Sequence, residues 1–102
     1  MSSKKPSIKQ LEYFATIARS SNFRKAAAKL GISQPTLTSQ IVAMEEALEV
    51  QLFERSRAGT LLSPEGRELL PLVRDILEQY QNLMETANHT NRDMGGTFKL
   101  GV

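Results

Sequence analysis

Cysteine is absent from the 102 residues, and histidine occurs once. Without cysteine the chain holds no disulfide, no thiol nucleophile and no thiolate metal site. The single histidine, His89, lies in a polar stretch with no acid or nucleophile at a catalytic spacing. It reads as an ordinary surface residue. No glycine-rich phosphate loop and no cluster of metal-ligating residues is present, so neither cofactor nor metal is expected and an enzyme reading has nothing to stand on. The segment from Met1 to Phe14 is polar and interrupted by Pro6, unlike a signal peptide. No apolar run reaches the length of a membrane span. These features lead to the expectation of a soluble, cytoplasmic protein that does not engage membranes.

The charge that is present is unevenly placed. Up to Met44 the basic residues Lys4, Lys5, Lys9, Arg19, Arg24, Lys25 and Lys29 face one acid, Glu12. From Glu45 onward acids outnumber bases, ten to six. The first half is suited to approach a polyanion and the second is not.

Local signals divide the chain. Ser7 with Gln10 is a capping-box pattern, and Leu11, Phe14, Ala15 and Ala18 follow at helical spacing. A first helix is predicted from about Ile8 to Arg19. Asn22 suits an N-cap for a short second helix, Phe23 to Leu30, and Gly31 suits its left-handed end. Ser33 caps a third helix, with Pro35 in its first turn. Leu37, Ile41, Met44 and Leu48 form its buried stripe, while Pro35, Ser39, Val42, Ala43 and Glu46 point away and Thr36 and Thr38 flank it. Gly59, between the short runs that start at Leu52 and end at Leu62, suggests a small hairpin. Ser63-Pro64 opens a long helix to about Asn91, bent by Pro71. Within it Leu69, Val73, Ile76, Tyr80, Leu83 and Ala87 recur at the period of a coiled-coil seam. Leu70, Leu77 and Met84 form a second stripe, expected to face inward. Gly95-Gly96 then punctuates an alternating segment, Thr97 to Val102, that resembles the start of a strand belonging to a further domain.

A short helix, a tight turn and a third helix with a polar N-terminal face are the parts of a helix-turn-helix. Such a helix lies in the major groove only if its apolar stripe stops at one face. The opposite face must carry hydrogen-bonding or small side chains. Gln34, Pro35, Thr36, Thr38 and Ser39 are therefore candidates to contact bases. Gln bonds adenine bidentately, and the Thr methyl meets that of thymine. Ser33, Arg24, Lys25, Arg55 and Arg57 are candidates to contact phosphate. The expected class is mainly α (all-α): a winged helix-turn-helix over residues 1–63 with a small β-hairpin wing, and a long dimerising linker helix over 64–92. Residues 93–102 would be a hinge and first strand leading into a further domain.

Across Ala26-Ala27, Leu30, Ser33-Gln34-Pro35, Gln40-Ile41, Glu45, Leu48, Leu52-Phe53, Arg55, Leu62-Ser63 and Gly66, the chain resembles the LysR-type transcriptional regulators. Phe23-Arg24 with Ser33 to Leu37 is also similar to their peroxide-sensing branch. The resemblance implies a winged helix-turn-helix, a linker helix that dimerises and a C-terminal sensor domain that alone binds a small-molecule effector. Symmetric pairing of the 69–87 seam would set two recognition helices on an inverted-repeat double-stranded DNA site. Two positions depart from the family pattern. Glu49 stands where glycine is usual, and Arg57-Ala58 shifts the arginine register of the wing. Two alternatives compete with this reading. The face from Ser33 to Ser39 could be a capped, solvated surface, and the fold could be a protein-interaction module whose long helix makes the contacts.

Overall fold

The computed structural model describes residues 5–56 and 59–93. Four helices and a hairpin follow in order: α1 (Ile8–Ser20), α2 (Phe23–Leu30), α3 (Gln34–Leu48), β1 (Phe53–Ser56), β2 (Gly59–Leu62) and α4 (Pro64–Asp93). The segment read as a strand from Thr97, and the hinge before it, lie outside the described residues.

The helix starts are set by side chains that satisfy otherwise unpaired N–H groups. At α1 the capping box is complete. The Gln10 N–H donates to Ser7 Oγ, and the Ser7 N–H donates to Gln10 Oε1, both at 3.1 Å. At α2, Asn22 Oδ1 accepts from the Lys25 N–H at 2.9 Å. At α3, Ser33 Oγ accepts from the Thr36 N–H at 3.2 Å. At α4, Ser63 Oγ accepts from the Gly66 N–H at 2.9 Å, and Pro64 occupies the position where a missing N–H costs nothing. Gly31 ends α2 in the left-handed region, φ 72°. The Ile32 N–H then reaches back to the Ala27 carbonyl.

Helices α1, α2 and α3 pack around Phe14, Ile17, Ala26, Leu37, Ile41 and Met44, all buried. Alanine at positions 26 and 27 lets α2 approach its neighbours closely. The hairpin pairs Phe53 with Leu62 and Ser56 with Gly59 in antiparallel register. Its base is anchored by aromatic contact: the Phe53 ring meets Phe14 edge-on at 5.4 Å and Phe23 at 5.7 Å.

The first half of α4 lies on α1, and this contact divides its apolar residues differently from the periodic pattern. Val73, assigned to an intermolecular seam, is only 5% exposed and belongs to the chain's own core. Leu69 is half-buried against that core, as is Leu77. Met84, expected to face inward, is 51% exposed. Leu72, Ile76, Tyr80, Leu83 and Met84 form the exposed apolar side chains of the helix, and Ala87 is exposed beyond them. The cause is geometric. An ideal helix drifts about 20° per heptad from a strict seven-residue repeat, and beyond Leu77 no part of the helix-turn-helix reaches far enough to cover α4. The helix runs unbroken past Pro71, whose ring is on the exposed side.

Candidate nucleic-acid interface

Helix α3 presents two different faces. Leu37, Ile41 and Met44 are buried, and Leu48 is half-buried. On the other side Gln34, Pro35, Thr36, Ser39, Val42, Ala43 and Glu46 are exposed, with Thr38 half-buried. Ser33, immediately before the helix, is also exposed but uses its hydroxyl locally. It accepts from the Thr36 N–H and donates to Thr36 Oγ1 at 2.8 Å.

The two flanks of α3 are held by different elements. Toward α1, Gln40 Oε1 accepts from Gln10 Nε2 at 3.0 Å. Toward the hairpin, Glu45 Oε2 accepts from the Leu52 N–H at 2.8 Å. Sequence reasoning assigned neither residue to this frame. Both bonds join positions far apart along the chain or reach a backbone group, and no local pattern announces them. One signal for Glu45 was available. The last turn of α3 carries acids and no base, the wrong sign for the negative end of a helix, so an acid there calls for a donor.

An open polar cleft separates the first turn of α2, the start of α3 and the hairpin. Asn22, Phe23, Arg24, Gln34, Ser56, Gly59 and Thr60 line it. Arg24 and Lys25 are exposed in the first turn of α2. None of α1, α2 and α3 has an acid in its first turn, whereas α4 has Glu65. Helix N-termini attract anions, and in these three that capacity is not taken up by the helix's own first turn. The backbone of Arg55 lies in β1 opposite Thr60. The side chain of Arg55, and Arg57 as a whole, lie outside what the structure describes. Among the described residues, no helix is long and apolar enough to cross a membrane.

A trihelical core, an exposed polar face on its third helix and a hairpin beside that face define a winged helix-turn-helix domain. Residues 8–67 match the family described as "Bacterial regulatory helix-turn-helix protein, lysR family". The chain belongs to that family. Among curated relatives it is 39% identical over 99 residues to a "Probable hydrogen peroxide-inducible genes activator" of Streptomyces viridosporus, covering 97% of this chain and 32% of that protein. A solved mutant of OxyR from Corynebacterium glutamicum superposes with a TM-score of 0.84 at 39% identity, covering 88% of this chain and 29% of that one. The BenM DNA-binding domain, solved in complex with catB site 1 DNA, gives a TM-score of 0.79 at 31% identity, covering 82% of this chain and 94% of that one. The chain thus spans 29–51% of the length of the first three curated relatives.

Proposed function

We propose that this chain binds double-stranded DNA with sequence preference, as the DNA-reading part of a homodimeric transcription regulator. The observation that carries the reading is the two-faced α3: one stripe closes the core, and Gln34, Pro35, Thr36, Thr38 and Ser39 are left along the side that would enter a major groove. Gln34 and Thr36, both exposed at the start of α3, would meet base edges. With the Ser33 hydroxyl proton directed at Thr36 Oγ1, the Thr36 hydroxyl is left to donate outward. Arg24 and Lys25, with Arg55 and Arg57 of the wing sequence, are the candidates to meet phosphate; Ser33, whose hydroxyl proton is given to Thr36, would do so through its N–H at the helix start. The apolar face of α4 supports self-association through Ile76, Tyr80, Leu83 and Ala87, with Leu69 at its margin. In the longer protein, a C-terminal domain would bind the effector. The peroxide-responsive names among the relatives favour an oxidant signal, whose chemistry would lie outside these cysteine-free residues.

The test is a titration of the chain onto a random-sequence duplex at rising KCl. Log affinity should fall linearly with log salt, by about 0.9 per phosphate neutralised. Absence of binding at about 50 mM salt, where counterion release is most favourable, would contradict the reading.

A further inference from the structure

The connection from α3 to the wing is wrapped around one residue. The Glu45 carbonyl accepts from the Glu49 N–H at the helix end and from the Val50 N–H at 3.2 Å. The Glu45 carboxylate then accepts from the Leu52 N–H at 2.8 Å, one residue before β1 begins. Three of the four N–H groups between Glu49 and Leu52 therefore end on Glu45. The far side of the same segment is pinned by α4. The Ser63 N–H donates to the Leu52 carbonyl at 2.9 Å, and the Ser63 hydroxyl donates to the Gln51 carbonyl. The Leu52 side chain is fully buried. Gly66 leaves no room either: a Cβ there would come within 2.3 Å of the Leu52 carbonyl oxygen.

This segment also carries a backbone cost. Glu49 ends α3 at φ 60°, ψ 38°, a region that glycine occupies freely and a side chain does not. A glutamate in that position, followed by a tight reversal, needs fixing from elsewhere. The Glu45 carboxylate supplies the fixing from the recognition helix itself.

We infer that Glu45 is a positioning residue for DNA binding: its carboxylate–Leu52 bond sets the wing against α3, so that base contacts and wing phosphate contacts are made in one register. It touches no DNA itself. The assignment rests on the DNA reading above. Through Leu52, Ser63 and Gly66 the same joint connects α3 and the wing to the start of α4.

Three variants of the chain test this, with a random-sequence duplex as probe and KCl as the variable. The isolated BenM DNA-binding domain, of comparable extent, is seen on DNA, so the domain is a fair unit to study. Glu45→Gln removes the charge and keeps an acceptor for the Leu52 N–H; it should retain the wild-type salt slope. Glu45→Ala removes the acceptor. It should flatten the slope by about one unit, as when the wing neutralises one phosphate fewer, and lower the unfolding temperature. The third variant, E45A/E49G, separates positioning from stability. Glycine at position 49 relieves the left-handed backbone and should recover part of the lost unfolding temperature, while the slope stays flat. A slope that is unchanged in Glu45→Ala, or that returns together with stability in E45A/E49G, would overturn the assignment. If the wild-type chain itself binds no duplex, the DNA reading fails and this one with it, and the wild-type control alone reveals that.

Discussion

At the scale of single residues, the candidate interface divides into side chains proposed to read DNA and side chains that hold the frame. Gln34 is exposed at the first position of α3 and borders the cleft toward the wing. Truncating it to alanine should cost roughly 1–3 kcal/mol on a preferred site and much less on unrelated DNA. Equal losses on both, measured by competition, would make it a backbone contact. Arg55→Ala should behave in the opposite way, weakening all sequences alike and flattening the salt slope by about one unit. Glu49 makes a prediction about stability alone. Its positive φ costs on the order of 1 kcal/mol, so Glu49→Gly should stabilise the fold by at most about 0.5 kcal/mol, after allowing for the greater entropy of unfolded glycine. A lower unfolding temperature for that variant would show that the Glu49 side chain contributes more than its backbone strains.

Elements differ in how far their own residues announce them. The first three helices were legible because their signals are local. Each cap lies within three residues of the N–H it satisfies, and each apolar stripe repeats within one helix. Ser7, Asn22 and Ser33 sit at the starts that the pattern implied, and Gly31 at the end. The allocation of faces on α4 was not legible, because it depends on where the core stops. Val73 and Leu83 lie on one repeat, yet α1 covers the first and leaves the second open. The joint around Glu45 was hidden for another reason, since its partner is a backbone N–H that carries no side-chain identity. Gly66 shows the same joint from the other side. Gly66→Ala should destabilise by about 1–3 kcal/mol through overpacking, because the obstacle is backbone rather than a side chain that can turn away. Thermal unfolding that matches the wild type would show that the Leu52 segment yields without cost.

At the scale of the whole molecule, the described chain extends 56 × 35 × 23 Å. The long dimension reflects α4, 30 residues or about 45 Å at ~1.5 Å per residue. Among the described residues, nothing covers its distal part. Leu83, 62% exposed, lies far from the core of Phe14, Leu37 and Ile41. A charge placed there should therefore break self-association and leave the helix-turn-helix folded. Leu83→Asp should sediment as a monomer with the helical content of the wild type and bind a two-half-site duplex hardly better than a single half-site. A variant that stays dimeric would move the contact elsewhere on α4.

A two-fold contact between α4 helices would relate two α3 helices by the same symmetry. Such a pair reads half-sites of opposite orientation, about 34 Å or one helical turn apart. The most direct measurement is selection of bound duplexes from a random-sequence library by the chain, followed by sequencing. An inverted repeat with half-sites spaced about one turn apart should be enriched. A bound pool with the base composition of the starting library, or one enriched only in a single unrepeated site, would contradict that expectation.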